Sequence, residues 1–461
     1  MLGAAVAAGH PATAEAGVEI LEAGGAAADA AVAACLASCV AETVMTGFLG
    51  GGHAIYWDAA SGRARNLDCF CAVPTGMGGE LLELDVPFGE ELVHYAVGPA
   101  SCAVPGVPAG LDALWREYGR LPWPDVCAPA LRLARGGVPM PPAHVACLQM
   151  LEPVMTMNEG ARMYAPEGRL LEPGERLEQP GLVCALELVS AEGALTAYEG
   201  SIAESLLGLV HERGGLVTRD DLLGYEAQWM DPVEVAYAGT RFLTRAGLAP
   251  VGPALERLPT LRGLGEPERT LVLLDAVSDQ PVGGSAHTTN LVAVDRDGSA
   301  CVLTTSLGLG SGDWLPGLDL HLNSMLGEVD LVVDRSSLLA GGRMESMMAP
   351  SLALETDGPV LAIGSAGGTR LRTAIVTAAA GILDEGLEPQ VAVDRPRLHR
   401  VADVVNAEPG VDETALVELD VRGLTVRRWP RLHHYFGGVS LVAARGAAAD
   451  IRRSGAARRP S

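Results

Sequence analysis

A threonine pair, Thr288 and Thr289, has the clearest potential for chemistry in this chain, and it opens an apolar stretch over residues 288–295. The pair follows a glycine-rich segment, residues 282–285. A threonine hydroxyl is a weak nucleophile unless a base lies beside it, and cutting the preceding peptide bond releases the threonine's own α-amine as that base. The pattern therefore predicts self-cleavage between His287 and Thr288, although an isolated threonine pair more often only begins a β-strand.

A second hydroxyl is expected opposite the first. Two apolar stretches, residues 288–295 and 300–306, flank Arg-Asp-Gly-Ser at positions 296–299 and predict a hairpin. A three-residue loop, with Gly298 at positive φ, would pair Thr288 with Ser306. A two-residue turn would shift the register by one and move Ser306 to the other face. The sequence leaves both registers open.

A glycine pair, Gly367 and Gly368, follows a second predicted hairpin and precedes an alanine-rich helix predicted over residues 371–383. A strand that turns through two glycines into a helix points several backbone N–H groups at one spot, where the helix dipole also favours negative charge. Such a spot can stabilise the oxyanion of an acyl-transfer intermediate. Taken alone, the two glycines could equally make a tight turn.

In their order along the chain, these segments resemble the γ-glutamyltransferase (γ-glutamyltranspeptidase, glutathione hydrolase) family of N-terminal nucleophile hydrolases. Further stretches similar to the family lie at residues 9–17, 21–31, 48–53, 104–106, 118–123, 310–312, 322–325 and 348–350. The resemblance implies an α+β fold, a four-layer αββα sandwich. It also implies a large portion, residues 1–287, and a small portion, residues 288–461, that stay together after self-cleavage as a heterodimer within one intertwined domain.

The resemblance also implies roles for single residues. Thr288 matches the nucleophile, and Ser306 stands where the family has a threonine that hydrogen-bonds the nucleophile. Gly367 and Gly368 match the oxyanion hole. The resulting expectation is an autoprocessing hydrolase that forms an acyl-threonine with a small-molecule substrate.

The chain departs from the family at positions that contact substrate. Phe70 stands where the family has an arginine that grips the glutamyl α-carboxylate, and Gly308 stands where it has a substrate-contacting asparagine. Residues 326–327 replace an acidic pair, and only Ser346 remains of a serine pair. Asn323 keeps its place in the family's order and completes the predicted substrate-binding set.

These departures predict a substrate other than a γ-glutamyl compound and leave three functions open. The first is hydrolysis of a non-glutamyl amide. The second, which some family members in bacterial secondary metabolism suggest, is carbon–carbon bond hydrolysis of an activated keto acid. The third is an uncleaved, inactive homologue with a binding role.

Composition excludes several partners. A net charge of −24, with no basic cluster before the last residues, disfavours nucleic acid. No apolar run reaches the roughly 18 residues of a membrane span. No histidine or cysteine spacing matches a zinc site, so no metal and no cofactor are expected.

The opening residues lack a positively charged start, and nine cysteines do not suggest a disulfide framework, so we expect a cytoplasmic protein. Residues 246–285 are predicted to be loop-rich, and residues 452–461 disordered.

Overall fold

The computed structural model describes residues 1–88, 91–278, 288–329, 331–332 and 338–461. Its strands in these ranges are β1 (Ala5–Ala8), β2 (Gly51–Asp58), β3 (Arg63–Cys69), β4 (Leu82–Phe88), β5 (Glu91–Val97), β6 (Val138–Pro139), β7 (Arg176–Leu177), β8 (Gln228–Met230), β9 (Val233–Tyr237), β10 (Thr240–Thr244), β11 (Thr289–Val294), β12 (Ala300–Ser306), β13 (Ser351–Glu355), β14 (Gly358–Ala366), β15 (Leu398–Val401), β16 (Val404–Ala407), β17 (Thr425–Arg428), β18 (Gly438–Ala443), β19 (Gly446–Ala449) and β20 (Ala456–Arg458).

The helices in the same ranges are α1 (Pro11–Glu22), α2 (Ala27–Ala41), α3 (Val107–Tyr118), α4 (Trp123–Gly136), α5 (Pro142–Met150), α6 (Glu152–Met155), α7 (Gly160–Tyr164), α8 (Pro180–Glu192), α9 (Thr196–Glu199), α10 (Ser201–Arg213), α11 (Arg219–Leu223), α12 (Val251–Arg257), α13 (Glu266–Val277), α14 (Arg370–Leu383), α15 (Pro389–Asp394) and α16 (Glu413–Val421). Short 3-10 helices lie at Pro99–Ser101, Met325–Gly327, His434–Phe436 and Ile451–Arg453.

Two large sheets form the centre of the molecule. Seven strands lie in the order β20-β1-β11-β12-β2-β3-β8, and six lie in the order β19-β18-β14-β13-β10-β9. Each sheet takes strands from both sides of residue 288. The chain on either side of the predicted cleavage point is therefore interleaved in both sheets.

Apolar side chains fill the space between the two sheets and cover their outer faces. Ile55, Val292 and Val302 of the seven-stranded sheet pack with Leu352 and Val442 of the six-stranded sheet. A second apolar cluster joins the outer face of the first sheet to helices such as α2, and a third joins the second sheet to helices such as α14. The resulting order of layers is helix, sheet, sheet, helix, which confirms the predicted αββα sandwich.

Helix α2 shows why these layers pack closely. Eight of its 15 residues are alanine, and every residue of the helix is buried. Small side chains lose little rotamer freedom and let backbones approach, so this helix lies against both α1 and the seven-stranded sheet.

The structure corrects two of the sequence predictions. The last residues are ordered: β20 pairs antiparallel with β1, and Arg452 is buried. Residues 251–257 and 266–277 are helical, so the segment predicted to be loop-rich carries two helices. Residues 279–285 of that segment lie outside the described residues. Tertiary contacts with β1 order a tail whose composition alone favours disorder.

Candidate active site

The threonine pair lies at the start of a regular hairpin. Strands β11 and β12 pair antiparallel with Thr289 opposite Thr305, so the next step of the ladder sets Thr288 opposite Ser306. The backbone N–H of Asp295 donates to the carbonyl of Ser299 over 3.0 Å. Gly298 has a φ of 86°. These features confirm the three-residue loop and the register predicted with it.

Thr288 and Ser306 both line one small pocket, which we call the cavity. We call its polar side chains, Thr288, Ser306, Glu328 and Ser346, the polar lining. We call its apolar side chains, Phe70, Met325, Leu331, Met347, Met348 and Leu371, the apolar lining. Gly368 completes the wall.

The predicted glycine pair lies between β14 and α14. Gly367 has a φ of 124° and Gly368 a φ of 57°, values that favour glycine. A β-carbon on Gly367 would lie 2.9 Å from the Cα of Gly437, so the turn also has no room for a side chain there. Helix α14 begins at Arg370, and its open N-terminal end therefore lies beside the cavity.

Phe70 lies in the cavity wall and is almost fully buried. Its ring stacks on that of His53, with centroids 5.5 Å apart and planes 10° apart. Burial lowers the pKa of His53 well below its ordinary value, and Arg245 and Arg343 lower it further. His53 is therefore a neutral ring that supports Phe70 from behind.

An arginine lies near Phe70, but its guanidinium has other partners. Nη1 of Arg343 donates to the carbonyl of Phe70 over 2.7 Å, and its Nε lies 3.5 Å from Asp68. The guanidinium also lies over the ring of Tyr225, 4.4 Å from the centroid. No arginine is among the described residues that line the cavity.

The other predicted substrate-binding residues divide into two groups. Ser346 lines the cavity, and its Oγ accepts a hydrogen bond from the N–H of Met348 over 3.1 Å. Asn323 and Gly308 are not among the lining residues. The amide of Asn323 bonds to the backbone of Leu49 and Ala103, with distances of 2.9 and 3.0 Å. Asn323 thus braces two buried segments.

Gly308 supports the hairpin end. Its backbone N–H donates to Oγ of Ser306 over 2.9 Å, and its φ is 70°. A β-carbon at this position would meet the carboxylate of Glu328. Gly308 therefore contacts two members of the polar lining. His287, on the other side of the predicted cleavage point, lies outside the described residues.

The sequence analysis missed a carboxylate behind the threonine pair. Glu42, at the end of α2, is buried and accepts a hydrogen bond from the hydroxyl of Thr289. Its other oxygen accepts from the hydroxyl of Thr13 over 2.6 Å. Burial raises the pKa of Glu42 to about 6, although the two hydroxyls and Arg453 act in the opposite direction. An acid that ends an alanine-rich helix was the only signal in the sequence.

A second missed residue contacts Thr288 itself. Nη1 of Arg453 donates to the backbone carbonyl of Thr288 over 2.9 Å. The two residues are 165 positions apart in the chain. Glu328, the buried carboxylate of the polar lining, was missed as well. Neither residue carries a local motif that could have identified it.

No group of three or more histidine, cysteine, aspartate or glutamate side chains that could hold a metal ion occurs among the described residues. Within the same ranges, no helix has both the length and the apolar character needed to cross a membrane.

Comparison with known proteins identifies similar chains. The sequence matches the Gamma-glutamyltranspeptidase family over residues 13–263 and 268–459. It is 27% identical to the acylase ACY 1 proenzyme of Pseudomonas sp. (strain SE83), over 94% of this chain and 88% of that protein. It is 24% identical to the glutathione hydrolase proenzyme of Bacillus subtilis (strain 168), over 91% of this chain and 84% of that one.

A solved structure shares the fold. The cephalosporin acylase from Bacillus halodurans superposes with a TM-score of 0.82 at 23% identity, covering 99% of this chain and 96% of that chain.

Proposed function

Because the chain belongs to the γ-glutamyltranspeptidase family of hydrolases with the N-terminal nucleophile fold, we propose that it cuts itself between His287 and Thr288 and then hydrolyses a non-glutamyl amide through an acyl ester on Thr288. The observation that carries this proposal is the cavity that Thr288, Ser306 and Gly368 share with the apolar lining. The first three residues suit acyl transfer, and the apolar lining suits an apolar or aromatic acyl group.

Self-cleavage uses the side chain of Thr288 as the nucleophile and consumes one water molecule. The hydroxyl oxygen attacks the carbonyl carbon of His287, and the bond from that carbon to the nitrogen of Thr288 breaks as the acyl group moves from nitrogen to oxygen. The hydroxyl proton ends on the nitrogen. Water then hydrolyses the ester, which releases a carboxylate on His287 and restores the hydroxyl of Thr288, whose α-amine the shift has already freed.

Turnover then uses that α-amine as the base. It takes the proton of the Thr288 hydroxyl while the oxygen attacks the carbonyl carbon of the substrate amide. The oxyanion of the tetrahedral intermediate accepts hydrogen bonds from the backbone N–H groups of Gly367 and Gly368. The carbon–nitrogen bond breaks, the leaving amine takes the proton, and water repeats the sequence on the acyl ester. Ser306, whose oxygen is held by the N–H of Gly308, orients the nucleophile.

The apolar lining supports a substrate without a glutamyl group. A γ-glutamyl group carries an ammonium and a carboxylate, and each would lose its hydration on entering the cavity. The arginine nearest to Phe70 in the described structure, Arg343, is already bonded to the Phe70 carbonyl and packed on Tyr225. An acyl chain that is apolar or aromatic would instead gain about 1.5 to 3 kcal/mol for each large side chain it buries against.

Denaturing electrophoresis with N-terminal sequencing of the purified protein tests the proposal. We expect fragments of 287 and 174 residues, the second beginning Thr-Thr-Asn. Thr288→Ala should stop the cleavage and Thr288→Ser should retain part of it, since a side-chain hydroxyl is required. Thr289→Val, which removes the neighbouring hydroxyl at nearly constant volume, should still cleave after His287.

A screen of the cleaved protein against acyl amides, with mass detection of an adduct on the 174-residue fragment, tests the substrate class. An intact chain that persists would contradict the proposal and favour an uncleaved homologue with a binding role. Release of a carbon fragment from a keto acid, with no amide turned over, would favour carbon–carbon hydrolysis instead.

We also propose that the protein works in the cytoplasm. All nine cysteines are free, and eight of them are buried. Free cysteines are typical of a reducing compartment. Fractionation of cells that produce the protein, followed by detection of the 174-residue fragment, would show where it resides.

A further inference from the structure

Two adjacent arginines near the end of the chain differ in their partners. Arg452 and Arg453 are both buried. Arg452 forms ion pairs with Glu408 at 2.6 Å and with Asp450 at 3.1 Å. Among the residues that the structure describes, no carboxylate lies within ion-pair distance of Arg453. Its Nη1 instead donates to the carbonyl of Thr288.

Burying an unpaired guanidinium costs free energy. Burial lowers the pKa of Arg453, and the more distant carboxylates of Asp450 and Glu42 offset this only in part. Its Nε has no hydrogen-bond partner among the described atoms. A buried cation with a purely structural role is normally paired, as Arg452 is. A buried charge that is not paired, and that lies against a reactive group, is characteristic of a functional site.

The surrounding backbone makes room for this side chain. A β-carbon on Gly438 would overlap Cδ of Arg453. A β-carbon on Gly367 would lie 3.3 Å from Nη2 of the same arginine. The guanidinium therefore lies between the carbonyl of Thr288 and the glycine turn before α14. Further contacts run from Nη1 to Sδ of Met45, 3.2 Å away, and from Nη2 to the carbonyl of His434, 3.4 Å away.

We propose that Arg453 is a positioning residue, which fixes the backbone of Thr288 relative to the glycine turn and so sets the attack geometry in self-cleavage and turnover. This inference rests on the proposed function of Thr288. Holding the carbonyl of Thr288 restricts rotation about its Cα–C bond and thereby orients its hydroxyl and α-amine together. The glycine turn next to the same guanidinium carries the N–H groups that would meet the oxyanion.

The role matters most after cleavage. The cut removes the covalent restraint on the N-terminal side of Thr288, which then lies one residue before β11. Among the described residues, the strand that follows it and the hydrogen bond from Arg453 still restrain its backbone. Misplacing a reacting group by about 1 Å can cost about a hundredfold in rate.

Self-cleavage of the full chain, which needs no added substrate, measures the effect. Precursor made by cell-free synthesis is followed by electrophoresis as it converts to the two fragments. We expect Arg453→Met, which keeps the length but not the charge or donors, to slow conversion about a hundredfold. Arg453→Lys, which keeps the cation and an N–H donor, should lie between Arg453→Met and wild type. Guanidinium ion at millimolar concentration should restore part of the rate in Arg453→Ala.

Arg452→Met is the matched control, because it removes the neighbouring buried arginine and strands Glu408 and Asp450 without their partner. It should lower the thermal midpoint of the precursor, and guanidinium should not accelerate its cleavage. Resistance of each precursor to limited proteolysis verifies that it is folded. If Arg453→Met does not fold, the rate of Arg453→Lys and the guanidinium rescue decide the question.

Wild-type conversion rates in Arg453→Met would overturn the inference and leave the proposed function intact. So would a slow rate that neither lysine nor guanidinium restores, since that is the behaviour of a residue needed only for packing. Failure of the wild-type chain to cleave at residue 288 would instead overturn the proposed function, and this inference with it.

Discussion

Two parts of the cavity wall are held by different kinds of structure: the hydroxyl pair Thr288 and Ser306, and the apolar side chains of Phe70, Met347 and Met348. Thr288 and Ser306 lie at the end of two paired strands within the seven-stranded sheet. Phe70 follows the end of β3, and Met347 and Met348 lie outside any strand or helix. The sheet therefore holds the two hydroxyls proposed to react, whereas loop segments hold these three apolar side chains. Loops on a rigid scaffold tolerate sequence change, so substrate preference can change without disturbing the hairpin.

The largest effect that could break this comparison concerns γ-glutamyl substrates. We expect a γ-glutamyl anilide to be hydrolysed about a hundredfold less efficiently than a pentanoyl anilide, because each missing charge-assisted hydrogen bond costs about 1.5 to 3 kcal/mol. The measurement is kcat/KM for both anilides with the cleaved protein. Phe70→Arg should reduce the difference in kcat/KM between the two anilides, whereas Phe70→Leu, which adds no cation, should leave that difference unchanged. Comparable turnover of both anilides by the wild-type protein would show that the apolar lining does not select the substrate.

A smaller effect concerns the threonine pair, where the hydroxyl of Thr289 donates to the buried carboxylate of Glu42. The pKa of Glu42, about 6 in the folded protein, lies above its ordinary value of 4.5. The native state then binds this proton more tightly than the unfolded chain does. The free energy of unfolding contributed by Glu42 should therefore fall as the pH rises from about 4.5 to about 6, by about 2 kcal/mol.

Urea unfolding of the uncleaved Thr288→Ala chain at the two ends of this pH range measures that slope. Adding Glu42→Gln should flatten it, since glutamine does not titrate. Glu355→Gln, at an exposed carboxylate, should leave the slope unchanged. An equal slope with and without Glu42 would mean that another group controls the pH dependence.

The smallest effect concerns Ser306. Ser306→Ala should reduce kcat about fivefold, because losing one hydrogen bond costs roughly 1 kcal/mol and this energy corresponds to about a fivefold change in rate. Ser306→Thr should act nearly as wild type, because it keeps the hydroxyl. Ser299→Ala is the control: it lies at the other end of the same hairpin, where its Oγ accepts from the N–H of Ala59 over 3.2 Å. Equal losses from Ser306→Ala and Ser299→Ala would indicate a role in hairpin stability only.

Local pattern was sufficient for much of the fold. The helix predicted over residues 371–383 is α14 (Arg370–Leu383). The hairpin of β11 and β12 was also predicted, although the sequence left its register open between a three-residue and a two-residue loop. These features depend on hydrophobic periodicity and turn chemistry, which neighbouring residues specify.

The site was predicted less completely. Thr288, Ser306, Gly368, Phe70 and Ser346 do line one cavity, but Asn323 and Gly308 support it from outside. The roles of all these residues, the cleavage point at His287 included, stay predictions. Glu42 and Arg453 could not be predicted from the sequence. No motif near either residue indicates that it contacts the threonine pair, Thr288 and Thr289.

The sequence by itself determined the family, the helix after the glycine pair and the hairpin that presents Thr288, since these follow from motifs and from contacts between near neighbours. Only the tertiary structure decided which charged side chains lie behind the threonine pair. It also decided that Arg452 is buried with carboxylate partners and Arg453 without them. A buried charge is stabilised or left unpaired by groups far away in the chain: Arg453 meets Thr288 across 165 positions, and Thr289 meets Glu42 across 247. Packing of the two sheets and their helices, rather than local sequence, brings such residues together.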